Sequence, residues 1–118
     1  MKTRRTVPCL VSLLLALPVW AQTAPPAALH QYPGADLALG ARLIQEHRCE
    51  TCHAKKVGGN GTAVYRPAGR INNPASLLTM VERCSNELNL GLFPEDVTSV
   101  AAVLQRDHYR FPAQPAKP

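Results

Sequence analysis

Apolar positions recur at helical spacing in three stretches of the chain, separated by segments rich in Gly, Pro and Asn. In the first stretch Leu37, Gly40, Ala41 and Ile44 share one side of a helix that opens at Asp36, a good N-cap, and runs to about Arg48. Such a helix would deliver Cys49 at its C-terminal end. Residues 58–69 hold four Gly, one Pro and one Asn and read as a loop. Asn73-Pro74 announces a second helix, with Asn as cap and Pro at the first helical position, where its missing N–H costs nothing. Leu77, Met80 or Val81, Cys84 and Leu88 line one face of it, and Asn86, Asn89 and Gly91 interrupt the pattern. A third helix begins at Pro94, where Glu95 and Asp96 complement the macrodipole in the first turn. Val97, Val100, Ala101, Leu104 and His108 share its apolar side, and Phe111-Pro112 ends it. There is no period-2 alternation and no internal repeat. The expectation is one all-α domain over residues 36–111, of three or more short helices. A flexible lead-in at 22–35, with Pro25, Pro26, Pro33 and Gly34, precedes it, and a loose tail at 112–118 follows.

The first 21 residues follow different rules. Lys2, Arg4 and Arg5 form a basic start, Cys9–Leu17 an apolar run, and Pro18-Val19-Trp20-Ala21 a site suited to a signal peptidase. The run falls well short of the roughly 20 apolar residues that span a bilayer. A secretory signal removed after Ala21 is the reading, with no stable membrane span once it has gone. The chain carries 13 Lys and Arg against 8 Asp and Glu, a formal charge of +5. Without the three basic residues of the signal, ten face eight, or +2. No basic run and no aromatic platform remain, so nucleic-acid binding has no support. Cys49, Cys52 and Cys84 are left as an odd set of thiols, unlike a plain disulfide framework.

Six aromatic residues are few for an unaided core of this length. Cys49-Glu50-Thr51-Cys52-His53 offers a reason. Two thiols three positions apart can each bond a vinyl group of one porphyrin, and the adjacent imidazole can serve as the proximal iron ligand. Export fits, because this attachment takes place beyond the cytoplasmic membrane. Against it, a thioredoxin-like pair needs a βαβ context that the pattern lacks. A zinc site from Cys49, Cys52, His53 and Cys84 has suitable ligand types but no second paired knuckle.

The segment Leu39-Gly40-Ala41-Arg42-Leu43-Ile44 followed by Cys49-Glu50-Thr51-Cys52-His53 resembles the first helix and haem site of class I c-type cytochromes. Pro94–Leu104 is similar to the last helix of that family. The resemblance implies the cytochrome c fold around one covalently bound haem c, with the first and last helices crossing. Gly40 would permit the close approach, against Val100 or Leu104. It implies single-electron transfer with redox partner proteins, in the periplasm or otherwise outside the cytoplasm, and no catalytic residues.

The chain departs from the family on the distal side. No Met stands between Ser85 and Pro94, where the family places its ligand in a loop. Met80, on the second helix, is either a distal ligand or a packing residue. Cys84 and Asn86 are the other donors in the region, and five-coordinate iron is a further option. An open or labile sixth site would make the chain a small-ligand-binding, sensor or peroxidase-like haem protein instead. Cys84 also reads as a small buried hydrophobe, and His108 as a residue that packs or complements the helix dipole. Tyr65, Arg66 and Arg70 lie in the loop, where donors to haem propionates are found. Lys55 and Lys56 follow the motif and would steer an acidic partner.

Overall fold

The computed structural model describes residues 27–67 and 69–113. Residues 1–21, expected to form a signal, the start of the lead-in and the end of the tail lie outside the described residues. Among those described there are five α-helices and no strand: α1 (Ala27–Gln31), α2 (Leu37–Glu46), α3 (Cys49–Val57), α4 (Pro74–Glu87) and α5 (Pro94–Leu104). A 3₁₀ turn at Thr62–Val64 and a π turn at Gln105–Tyr109 complete the chain path. No helix among the described residues is long and apolar enough to cross a membrane.

α5 is the central element. Val97 and every residue from Ser99 to Leu104 are buried, so the helix is enclosed on all sides rather than along one stripe. Its start follows the local signals: Pro94 opens it, and Asp96 Oδ2 accepts from Phe93 N–H at 3.0 Å. Two registers of side chains then face different neighbours. Val100 and Leu104 look into a cavity, whereas Ser99 and Val103 meet α2. At that crossing a Cβ on Gly40 would come 2.2 Å from the Ser99 carbonyl oxygen and 2.9 Å from Val103 Cγ2. Gly40 thus does permit a close approach, but its partners are one position removed from Val100 and Leu104. Spacing alone finds the apolar side of α5, and the crossing angle decides which of its rows touches α2.

α2 begins as its cap dictates. Asp36 Oδ1 accepts from Ala38 and Leu39 N–H at 2.9 and 3.0 Å, and Asp36 N–H donates to Ser99 Oγ at 3.0 Å. The first helix ends earlier than the spacing suggests. His47 caps α2, Arg48 turns left-handed at φ 50°, and Cys49 opens a separate helix. Cys49 therefore belongs to the start of α3 and not to the end of α2. α4 carries the expected Asn73-Pro74 start, with Ser76 N–H donating to Asn73 Oδ1 at 2.9 Å and Asn73 N–H to Ser76 Oγ at 3.2 Å. Asn89 at φ 52° ends it, with Leu90 N–H returning to the Ser85 carbonyl at 3.0 Å.

The second half of the lead-in is helical and packed, not loose. Ala28 and Tyr32 are each 3% exposed, and the Tyr32 hydroxyl donates to the Pro74 carbonyl at 2.8 Å. Gln31 Nε2 donates to the Phe111 and Pro112 carbonyls at 3.2 and 2.9 Å. Buried Gln105 joins the same knot, bonding Gln31 and both the N–H and C=O of Phe111. These contacts are long-range, which is why a window full of Pro gives no sign of them.

Candidate functional site

The break at Arg48 sets the geometry of the motif. In α3, Cys49, Cys52 and His53 occupy positions i, i+3 and i+4 and therefore share one face. That face forms part of the wall of a cavity of about 340 Å³. α2 contributes Leu43, Ile44 and His47, and α4 contributes Leu77, Met80, Val81, Cys84 and Leu88. Val100 and Leu104 of α5, Ile71 and Tyr65 of the loop, and Tyr109 also line it. The volume lies in the range of small-molecule and cofactor sites, roughly 300–1,000 Å³.

The cavity's electrostatics follow from its apolar walls. Burial, with a smaller contribution from Lys56, lowers the His53 pKa, which keeps the imidazole neutral with one lone-pair nitrogen. Burial raises the Cys49 and Cys84 thiols, so both remain S–H at neutral pH rather than reactive thiolates. All three described cysteines are free. Among the described residues no three His, Cys, Asp or Glu side chains converge as a metal-binding group, so Cys49, Cys52, His53 and Cys84 do not form a zinc cluster.

The distal candidates separate. Met80 and Cys84, one helical turn apart on α4, both line the cavity, as does Leu88 a further turn on. Asn86 does not: it lines a separate hollow of about 250 Å³ with Leu78, Glu82, Leu92 and Val97, between α4 and the start of α5. The pitch of α4 carries Asn86 around to another side. Of the loop residues, Arg66 and Arg70 are exposed and outside the lining, while Tyr65 is buried and within it. Lys56 reaches the cavity and Lys55 is exposed beyond it. His108 is not on the wall, and its ring lies 4.9 Å from that of Tyr65.

His47 carries no signal in the sequence pattern, and Tyr65, expected as a propionate donor, has a different partner. His47 joins the wall because α2 stops there. Tyr65 bonds His53, its hydroxyl 3.1 Å from Nδ1. A His beside Arg48-Cys49 looks like a solvated residue until the turn around it is known, and the loop pattern does not reveal that Tyr65 faces His53. No family model, curated protein or solved structure matches this chain.

Proposed function

We propose that the chain is an exported, monohaem, class I-like c-type cytochrome that passes single electrons between redox partner proteins. One observation carries this reading. Two thiols and an imidazole share one face of α3 and open onto an apolar cavity of about 340 Å³ also lined by Met80 and Cys84. These residues fit a flat, largely apolar macrocycle with a central iron.

When bound, haem c supplies a one-electron ferrous–ferric couple. The chain's own residues do the rest. The Cys49 and Cys52 sulfurs would form the two thioether links, and their i, i+3 spacing puts both on one side of a single helix. His53 would provide the proximal nitrogen. Met80 offers a thioether from α4. The aliphatic side chains of α2, α4 and α5 keep water from the iron's surroundings, and Lys56 places positive charge at the rim for an acidic partner.

A second reading, a haem protein with an open sixth site for a small ligand, draws on a specific feature. Met80 sits within a regular helix, anchored by its neighbours Leu77 and Val81, rather than in a loop free to adjust toward iron. Carbon monoxide separates the two, because it binds rapidly to an open ferrous site and not to one closed by a thioether.

The test of the main reading is mass spectrometry of protein exported from a host with haem-attachment machinery. The expected mass is the chain without its first 21 residues plus one haem, and His53→Ala is expected to keep that mass but lose the low-spin spectrum. An unmodified mass refutes the proposal.

A further inference from the structure

The loop between α3 and α4 is built to hold one side chain against His53. Gly61, at φ +83°, packs so closely on α3 that a Cβ would lie 2.1 Å from the Glu50 carbonyl oxygen. Asn60 Oδ1 accepts from the Thr62 N–H at 3.1 Å and from its hydroxyl at 2.6 Å, which starts the 3₁₀ turn. Tyr65 N–H closes that turn on the Thr62 carbonyl at 2.9 Å. The Tyr65 ring that emerges is 8% exposed. It meets the His53 ring edge-on, with centroids 5.1 Å apart and planes at 80°. His108 flanks it at 4.9 Å. α3, the loop and the π turn thus fix the phenol from three directions, with its oxygen 3.1 Å from His53 Nδ1.

We propose that Tyr65 is the positioning residue of His53: its phenol oxygen accepts the Nδ1–H hydrogen bond, fixes the tautomer and orientation of the ring, and leaves Nε2 as the donor nitrogen. This rests on the haem reading above and gives Tyr65 a task other than a propionate contact. A metal-binding imidazole that donates its second N–H to an acceptor is both oriented and made more basic at the ligating nitrogen. Greater basicity favours the more highly charged ferric iron. The Tyr65 contact therefore holds the couple toward the oxidised state, and its loss moves it toward the reduced one.

Tyr65→Phe isolates the oxygen, since the ring contacts with His53 and His108 remain. In the covalently loaded protein this variant should shift the ferrous-to-ferric ratio toward ferrous about tenfold, which for a one-electron couple is a potential about 59 mV more positive. The His53 Nδ1–H resonance, slowly exchanging in the reduced wild type, should exchange rapidly in the variant. A loaded, folded Tyr65→Phe protein whose ratio stays within about twofold of wild type overturns the proposal. So does a shift seen in Tyr65→Leu but not in Tyr65→Phe, which would assign the ring to packing alone. If Tyr65→Phe fails to load, the wild-type resonance decides: slow exchange supports the bond and rapid exchange refutes it. A wild-type chain without covalent haem refutes the haem reading itself and this inference with it. Failure of the Tyr65 proposal alone leaves the covalent haem in place.

Discussion

Gly40 and Ala38 stand two positions apart in α2, and the structure assigns them opposite responses to the same exchange. In an exposed helix interior, Ala is better than Gly by about 1 kcal/mol. Ala38 is exposed in the first turn of α2, so Ala38→Gly should destabilise by up to that amount. Gly40 is buried against α5, and an added Cβ would sit 2.2 Å from the Ser99 carbonyl oxygen and 2.6 Å from its carbon. Ordinary contact needs about 3.5–4.0 Å. The obstruction is backbone, so no rotamer change relieves it and the two helices must move apart by about 1 Å. Overpacking of this kind costs about 1–3 kcal/mol, and the upper end applies when backbone must yield. After the gain in helix propensity, Gly40→Ala should remain destabilising by about 1–2 kcal/mol. For a domain of this size that lowers the melting midpoint by roughly 4–16 °C. Urea titration of the loaded protein checks the sign independently, with the midpoint falling and the slope unchanged. Adding Val103→Ala should not rescue the variant, because the Ser99 main chain remains. A Gly40→Ala protein as stable as wild type, or more so, would refute the crossing.

On the haem reading with Met80 as distal ligand, Met80→Ala should lower the potential and open the ferrous form to carbon monoxide, because a thioether would leave the iron. Redox titration and the carbon monoxide difference spectrum measure the two effects. Loss of stability by about 2–5 kcal/mol with an unchanged spectrum would make Met80 a packing residue instead. Alkaline stability follows from the three tyrosines of the chain, all buried and all with phenol pKa values raised, mainly by burial. A folded-state pKa above the unfolded one gives stability that is complete below about pH 10. That stability is lost as pH rises further, because the unfolded chain releases phenol protons that the folded chain retains. The tyrosinate absorbance should therefore appear together with unfolding. Gradual ionisation of a tyrosine in the folded protein near pH 10 would contradict its burial.

Local signals were legible where the chain satisfies its own backbone. Asp36, Asn73-Pro74 and Pro94 with Asp96 each start a helix through hydrogen bonds to residues two or three positions away, so the pattern reveals them. The Cys49, Cys52 and His53 motif was legible as a spacing, but the separate helix that puts the three on one face was not, because the pattern predicts Cys49 at the end of the first helix. What the sequence concealed depends on distant partners. α1 is held by Pro74 and Phe111, residues more than forty positions away in sequence. The break at Arg48 uses no Gly or Pro, and a left-handed Arg persists because the elements on either side pack in place.

That break is the step that joins the fold to the candidate chemistry. A continuous helix from Leu37 through His53 would keep one axis, and Gly40, buried against α5, would set the direction of everything after it. A single left-handed residue starts a second axis instead. α2 can then stay in close contact with Ser99 while α3 turns its thiols and imidazole to the cavity. The small residues at the crossing and the large apolar ones in the cavity belong to the same division of α5. Ser99 faces α2 where helices must touch, and Val100 and Leu104 face the space that remains. The cavity is thus set by the fold's own contacts: close approach on one side of α5 and separation on another. Tyr65 and Met80, from the loop and from α4, line the same space as His53 because that separation exists.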